Sequence, residues 1–323
     1  MMHDNDAFGF EPHRHHLFGV AYRMLGSASD AEDVVQDAFL KWAAVDREAV
    51  REARAFLVTT VTRLCLDQLR SAAARRTEYF GPWLPEPIPA ARIAHAPSPE
   101  AIVDARESVS FGFLVLLQRL NPVERAAFLL REVFEYSYSE VATFLEKSET
   151  ATRQIVHRAH SGLRAGRERY TCDPAQQLAL TSSFLAATAT GQLPALLNVL
   201  KDDVELWSDG GGRRIAASQV VQGSANASRF VRGLVQKFTV ESAGVVELNG
   251  QPAVLIQATG VGPVVLLLAG GEGKVAAVYV VLNPEKLGFV PDIAPAAELT
   301  DIQRRWSSGA ARLVSARKGA RSP

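Results

Sequence analysis

Arg153, Gln154, His157 and Arg158 fall on the early turns of one predicted helix, and each can read the edge of a base. Arginine bonds guanine in bidentate fashion and glutamine bonds adenine, each pair giving about 1–3 kcal/mol of discrimination. The surrounding pattern would present them correctly. Ser139 begins a short helix with Val141, Phe144 and Leu145 on one face, a turn follows at Lys147–Glu149, and a second helix buries Ile155, Val156, Ala159 and Leu163. Two short helices with a tight turn make a helix-turn-helix, whose second helix enters the major groove by its N-terminal end. An αα-hairpin with a solvated basic face has the same pattern, so this segment alone leaves both readings open.

Two other clusters carry charge chemistry. Asp30, Asp33 and Asp37 stand at i, i+3 and i+7, one stripe of a helix, with no basic residue between them. Acids in a first turn complement the helix dipole, which accounts for Asp30 and Asp33 but not for Asp37. An acidic stripe of this kind suits a basic protein partner. Arg63, Arg70, Arg75 and Arg76 line the end of another predicted helix. Asp67 pairs with Arg70 at i, i+3, and the other three suit phosphates or a solvated helix end.

Acid–base catalysis draws little support. All seven histidines lie at or before His160, so the second half has none. Its candidate acids, Asp202, Asp203, Glu205 and Asp209, stand beside a Gly-rich turn, where capping and turn roles are commoner. No catalytic residue, metal-ligand set or cofactor is expected.

The elements that must position these residues change character along the chain. Leu17, Val20, Ala21, Met24 and Leu25 follow a helical face, Gly26 ends that helix, and Ser29 with Glu32 reads as the capping box of the next. The second helix buries Val34, Val35, Ala38, Phe39 and Trp42; a third, about 53–76, uses Leu57, Val61, Leu64, Cys65 and Leu69. Six prolines in residues 81–99 break helix formation and mark a linker. Helices resume from about Pro99 to Tyr170. Beyond Asp173 come short helices at about 174–190 and 193–200, a helical stretch near 217–236, and β-like runs at 240–248, 253–259, 264–268 and 275–282. Gly-rich separators divide those runs, as in hairpins.

The 323 residues carry 35 basic and 35 acidic side chains and two cysteines. The length suits two or three domains, and two cysteines do not make a disulfide framework. No apolar run is long enough for a membrane span, and the polar N-terminus lacks a signal-peptide core. These features point to a cytoplasmic protein without a membrane partner. Zero net charge argues against nucleic acid, yet the sum hides local runs, including six bases and no acid from Arg304 onward. In that tail Leu299, Ile302, Trp306 and Leu313 stand at helical spacing, which fits a surface helix or a basic contact to DNA or to the acidic stripe.

The order of acidic-stripe helix, basic helix, Pro-rich linker and helix-turn-helix resembles bacterial extracytoplasmic-function sigma factors. Residues 30–42 (DAEDVVQDAFLKW) look like their polymerase-docking segment, residues 54–70 like the segment that opens and reads the −10 element, and residues 120–159 like the −35 reader. The similarity extends to a subgroup with a fused C-terminal SnoaL-like domain. Its motifs match Trp83-Leu84-Pro85-Glu86-Pro87, Asp209-Gly210-Gly211-Gly212 and Asn283-Pro284-Glu285-Lys286-Leu287, with Glu285 in place of the usual Asp. Phe56 and Arg63 stand where many members have Trp and Asn.

The resemblance implies a multidomain fold: two all-α modules, a helical bundle (1–80) and a helix-turn-helix (106–171), joined by a linker (81–105). An α+β SnoaL-like cone with a curved antiparallel sheet (172–288) and a basic tail (289–323) follow. Its implied partners are core RNA polymerase, docked on Asp30, Asp33, Gln36 and Asp37, and promoter DNA, bound by Arg153, Gln154, His157, Arg158, Arg63, Arg70, Arg75 and Arg76. Polymerase would then supply much of the phosphate neutralisation that a neutral chain lacks. Pro85, Glu86, Pro87, Asp209–Gly212, Asn283, Pro284, Lys286 and Leu287 would be regulatory contacts, Asp209–Gly212 as an exposed loop and Lys286 pairing with acids of the sigma part. Replacing Asp209 should then alter activity without unfolding the domain. The cone offers room for a small apolar ligand. A stand-alone DNA-binding regulator and a SnoaL-type cyclase are the competing readings.

Overall fold

Helical periodicity, hairpin turns and apolar faces resolve into two units in a computed structural model, which describes residues 9–76, 79–93, 110–170, 174–190 and 192–291. Chain contacts divide it into unit 1 (1–78, 90–109, 113–167) and unit 2 (79–89, 110–112, 168–323).

Unit 1 is helical. α1 (Glu11–Leu25), α2 (Ala28–Ala44) and α3 (Ala53–Arg76) form the first bundle. Their core is Leu17, Val20, Ala21 and Met24 from α1, Val34, Val35, Ala38 and Trp42 from α2, and Leu57, Val61, Cys65 and Leu69 from α3. Gly26, with φ +72°, ends α1 in a left-handed turn that L side chains resist. The cap of α2 differs from expectation: Ser27, not Ser29, stands at the N-cap, and its hydroxyl accepts from the Asp30 N–H at 3.1 Å. Both serines fit the sequence rule; the left-handed turn at Gly26 puts Ser27 first in line.

The second helical group comprises α4 (Phe111–Leu117), α5 (Pro122–Phe128), a π-helical turn (Leu129–Val133), α6 (Tyr138–Phe144) and α7 (Glu149–Tyr170). Capping boxes start α5 at Asn121 with Glu124 and α6 at Ser137 with Glu140. The helix expected from Pro99 begins outside the described residues.

Unit 2 packs α8 (Pro174–Thr190), α9 (Leu193–Val199) and α10 (Ser224–Lys237) against one face of a six-stranded sheet. Its strands are β1 (Leu200–Asp209), β2 (Val221–Gln222), β3 (Val240–Leu248), β4 (Gln251–Ala258), β5 (Gly262–Gly271) and β6 (Lys274–Val281), in the order β2-β1-β6-β5-β4-β3. Asn249-Gly250 and Glu272-Gly273 all have positive φ, the twist that two-residue hairpins require. The sheet is mostly antiparallel, but β1 runs parallel to β6. Register shifts at 200–205 in β1 and at Ala269–Gly270 in β5 bend it, as bulges do. Leu180, Phe184, Leu196, Leu206, Leu268 and Val278 are among the side chains filling the space between helices and sheet. Among the described residues no helix is long and apolar enough to cross a membrane.

Candidate functional site

α7 carries the expected base-reading residues on one face. Ile155, Val156, Ala159 and Leu163 are buried, which leaves Arg153, Gln154, His157 and Arg158 exposed. The four line a shallow groove with Tyr138 and His160. Arg153 lies over the Tyr138 ring at 4.2 Å and pairs with Glu149 at 2.6 Å, while Arg158 reaches Glu124 at 3.4 Å. These pairs are exposed and weak, about 0–1 kcal/mol each, so they orient the guanidinium groups without withholding them.

α2 turns Asp33, Gln36 and Asp37 to solvent, with Asp30 half-buried at its start. Exposed Leu40 continues the same stripe. On α3, Arg63 is half-exposed and bonded to Glu146 at 2.7 Å, and Arg70 pairs with Asp67 at 3.2 Å. Arg75 and Arg76 belong to the last turn of α3, with side chains outside those described. The tail from 292 onward also lies outside the described residues.

In unit 2 the three short motifs meet around one carboxylate. Asp209 is 0 % exposed, not the start of an exposed loop. Its Oδ1 accepts from the Tyr79 hydroxyl (2.5 Å) and the Gly211 N–H (3.0 Å), and its Oδ2 accepts from the Leu84 N–H (2.8 Å) and Lys286 Nζ (2.7 Å). Lys286 also donates to the Leu84 carbonyl at 2.5 Å and lies 3.9 Å from the centre of the Trp83 ring. Its partner is therefore an acid of its own unit, where the sequence reading had it facing the sigma part. Asn283 donates to the Tyr79 hydroxyl at 3.2 Å. Burial, then the bond to Asp209, pushes the Tyr79 phenol up from its ordinary pKa, so it stays a donor.

The glycines follow from this geometry. A Cβ on Gly210 would lie 2.4 Å from the Arg214 carbonyl, and one on Gly211 (φ +58°) would strike the Asn283 amide at 2.3 Å. Further along, the Ile88 N–H donates to Asn249 Oδ1 (3.1 Å) and the Ile88 carbonyl accepts from the Asn249 N–H (2.8 Å). Leu84, Pro85, Glu86, Pro87 and Ile88 are all buried. Asp209, Lys286 and Asn249 thus form a clasp on the Pro-rich segment.

Residues 10–75 match the Sigma-70 region 2 family and residues 111–160 match Sigma-70 region 4. The chain is 38% identical over 293 residues to the ECF RNA polymerase sigma factor SigJ of Mycobacterium tuberculosis, covering 87% of this chain and 93% of the relative. A second relative from that organism, the probable ECF sigma factor SigI, is 31% identical over 88% of this chain and 96% of its own length. The crystal structure of M. tuberculosis SigJ superposes with a TM-score of 0.69 at 32% identity, covering 88% of this chain and 99% of that one. This chain belongs to the extracytoplasmic-function sigma factors.

As a sigma factor it directs core RNA polymerase to promoters through regions 2 and 4, and its fused sheet domain has the SnoaL-like fold. Sequence reasoning missed how the sigma factor holds these two regions together within unit 1. Tyr136, after the π-helical turn, accepts from Arg54 Nε at 3.1 Å and bonds His16 Nε2 at 2.9 Å. Arg125 of α5, 4 % exposed, donates to the Met24 carbonyl at 2.7 Å and the Leu117 carbonyl at 3.0 Å, placing a cation at the C-terminal end of α1. Arg23 stacks on Phe134 and donates to the Gly19 carbonyl at 3.1 Å; burial lowers its pKa to about 10. Burial, then Arg54, lowers His16 to about 4, so it is neutral here. The only local signal was the aromatic run Phe134, Tyr136 and Tyr138, which periodicity does not single out.

Proposed function

We propose that the sigma factor divides its work as follows. α7 reads the −35 element with Arg153, Gln154, His157 and Arg158; α3 contacts the −10 region with Arg63, Arg70, Arg75 and Arg76; and the α2 stripe of Asp30, Asp33, Gln36 and Asp37 docks on polymerase. The SnoaL-like domain tunes activity through its hold on the linker, using Asp209–Gly212, Asn283, Pro284, Lys286 and Leu287 against Pro85, Glu86 and Pro87. The functional boundaries we assign are 1–80, 81–105, 106–171, 172–288 and a basic tail, 289–323. The observation that carries the reading is the single exposed face of α7, where all four base-reading side chains stand over a buried apolar core.

Homologous sigma factors are not enzymes. We assign no catalysis to the sheet domain either, because Asp209, its best-placed acid, is already held by four donors. A small apolar ligand is not part of this reading, and we place the protein's action in the cytoplasm, where polymerase is.

The full chain with Arg153→Ala and Arg158→Ala tests the assignment. Two lost bidentate contacts at about 1–3 kcal/mol each should reduce transcription from a −35-dependent promoter by at least about 30-fold. Co-purification with core polymerase should be unchanged. Loss of polymerase binding, or undiminished promoter selection, would refute the role of α7.

A further inference from the structure

The acidic face of α2 already carries a piece of its own chain. Residues 90–93, directly after the clasped segment, make a short 3-10 turn (Ala90–Arg92). Arg92 pairs with Glu32 of α2, and Ile93 beside it is buried. The Ile93 carbonyl lies 4.0 Å from where a Cβ on Gly19 of α1 would stand. Ala91 and Arg92 line one groove with His15 and Phe18 of α1 and with Glu32, Asp33 and Gln36 of α2. Two of those side chains, Asp33 and Gln36, belong to the stripe assigned to polymerase docking.

We propose that Ala90–Ile93 is a built-in competitor for that docking face, in which Arg92 occupies the place of a basic side chain of polymerase. The inference rests on the docking role of α2. A partner that recognises Asp33 and Asp37 must present positive charge, and Arg92, paired with the adjoining Glu32, presents it first beside Asp33, anchored by the buried Ile93. The Arg92–Glu32 pair is half-exposed on both sides and weak, shifting an equilibrium by about fivefold at most. Tethering compensates, because a segment of the same chain, sixteen residues beyond the end of α3, acts at an effective concentration on the order of millimolar. The device also has a natural control point. Ile88, held by Asn249 of the sheet domain, is only four residues before Arg92 in the chain. Whatever loosens the grip on Ile88 acts on the competitor through the chain itself.

The test is the dissociation constant of the full-length sigma factor for purified core polymerase. Arg92→Ala should tighten binding about three- to fivefold and Arg92→Glu, which repels Glu32, by more; the gain should shrink as salt screens the pair. Arg92→Lys should stay near wild type. Asp33→Asn with Asp37→Asn is the control for the docking face and should weaken binding at least tenfold. If that control weakens binding while Arg92→Ala and Arg92→Glu leave it unchanged or weaker, the competitor is refuted and the docking face stands. If the control binds like wild type, the docking role of α2 falls and the competitor with it.

Discussion

Joining positions 63 and 146 with a short cleavable cross-linker should silence this sigma factor, and cleaving the linker should restore it. The basis is length. The −10 and −35 elements are centred about 25 base pairs apart, which is about 85 Å of duplex at about 3.4 Å per pair. Unit 1 holds both readers, regions 2 and 4, within about 150 residues. A compact unit of that size has a radius of gyration of about 15 Å and is about 40 Å across. It cannot touch both elements while closed. The contacts that must part are Arg63 with Glu146, Tyr136 with His16 and Arg54, and Arg125 with Met24. Arg63→Cys with Glu146→Cys, bridged by a bis-maleimide containing a disulfide, holds them. Cys65 is buried and its thiol is pushed up by that burial, so it does not compete; Cys172 is replaced by serine. Run-off transcription from a two-element promoter should fall by more than about 100-fold relative to the same variant before bridging. Full activity with the bridge intact would show that both elements are read without opening.

The same contacts mark where sequence reading stops. The faces of α1, α2 and α3 were legible because each is a repeating local pattern, and the hairpins were legible because Asn249-Gly250 and Glu272-Gly273 carry the backbone preference of their turns. The exposed face of α7 with Arg153, Gln154, His157 and Arg158 was legible for the same reason. β1 was not assigned as a strand, although Val204, Leu206 and Ser208 alternate with Glu205 and Trp207 as a half-buried strand should. Its neighbour β6 lies some 70 residues later in sequence and runs parallel, a pairing with no turn to announce it. Tyr136 meets His16 and Arg54, 120 and 82 residues away, and no periodicity encodes such a partner. The motifs around Asp209 and Lys286 were visible as motifs, but their partners were misplaced. Residue types showed that charge mattered there; only the fold showed that both charges are buried against each other.

That burial changes what Asp209→Ala should do. The sequence reading expected altered activity in an intact domain. With Asp209 at 0 % exposure and the Lys286 side chain at 7 %, removing the carboxylate leaves a cation and several donors buried without their acceptor. Breaking one partner of such a pair costs about 3–5 kcal/mol, which for a domain of this size lowers the melting temperature by about 10 °C or more. Asp209→Ala should therefore destabilise the sheet domain and release the linker together, which makes it a poor probe of regulation alone. Lys286→Met should also destabilise, because Asp209 then remains buried without its cation. The double variant, Asp209→Leu with Lys286→Met, removes both charges and should recover much of the loss, since buried pairs often exchange for apolar residues at little cost. Tyr79 and the Leu84 N–H still lose their acceptor, so recovery stays incomplete. Scanning calorimetry of the full chain reads stability, and Trp83, beside Lys286, gives a fluorescence signal for release of the linker. If the double variant regains stability while Trp83 still reports release, the ion pair serves to hold the linker and not to hold the domain together. If both recover in parallel, packing holds the linker and the charges are dispensable to it. A wild-type melting temperature for Asp209→Ala would contradict the buried clasp itself.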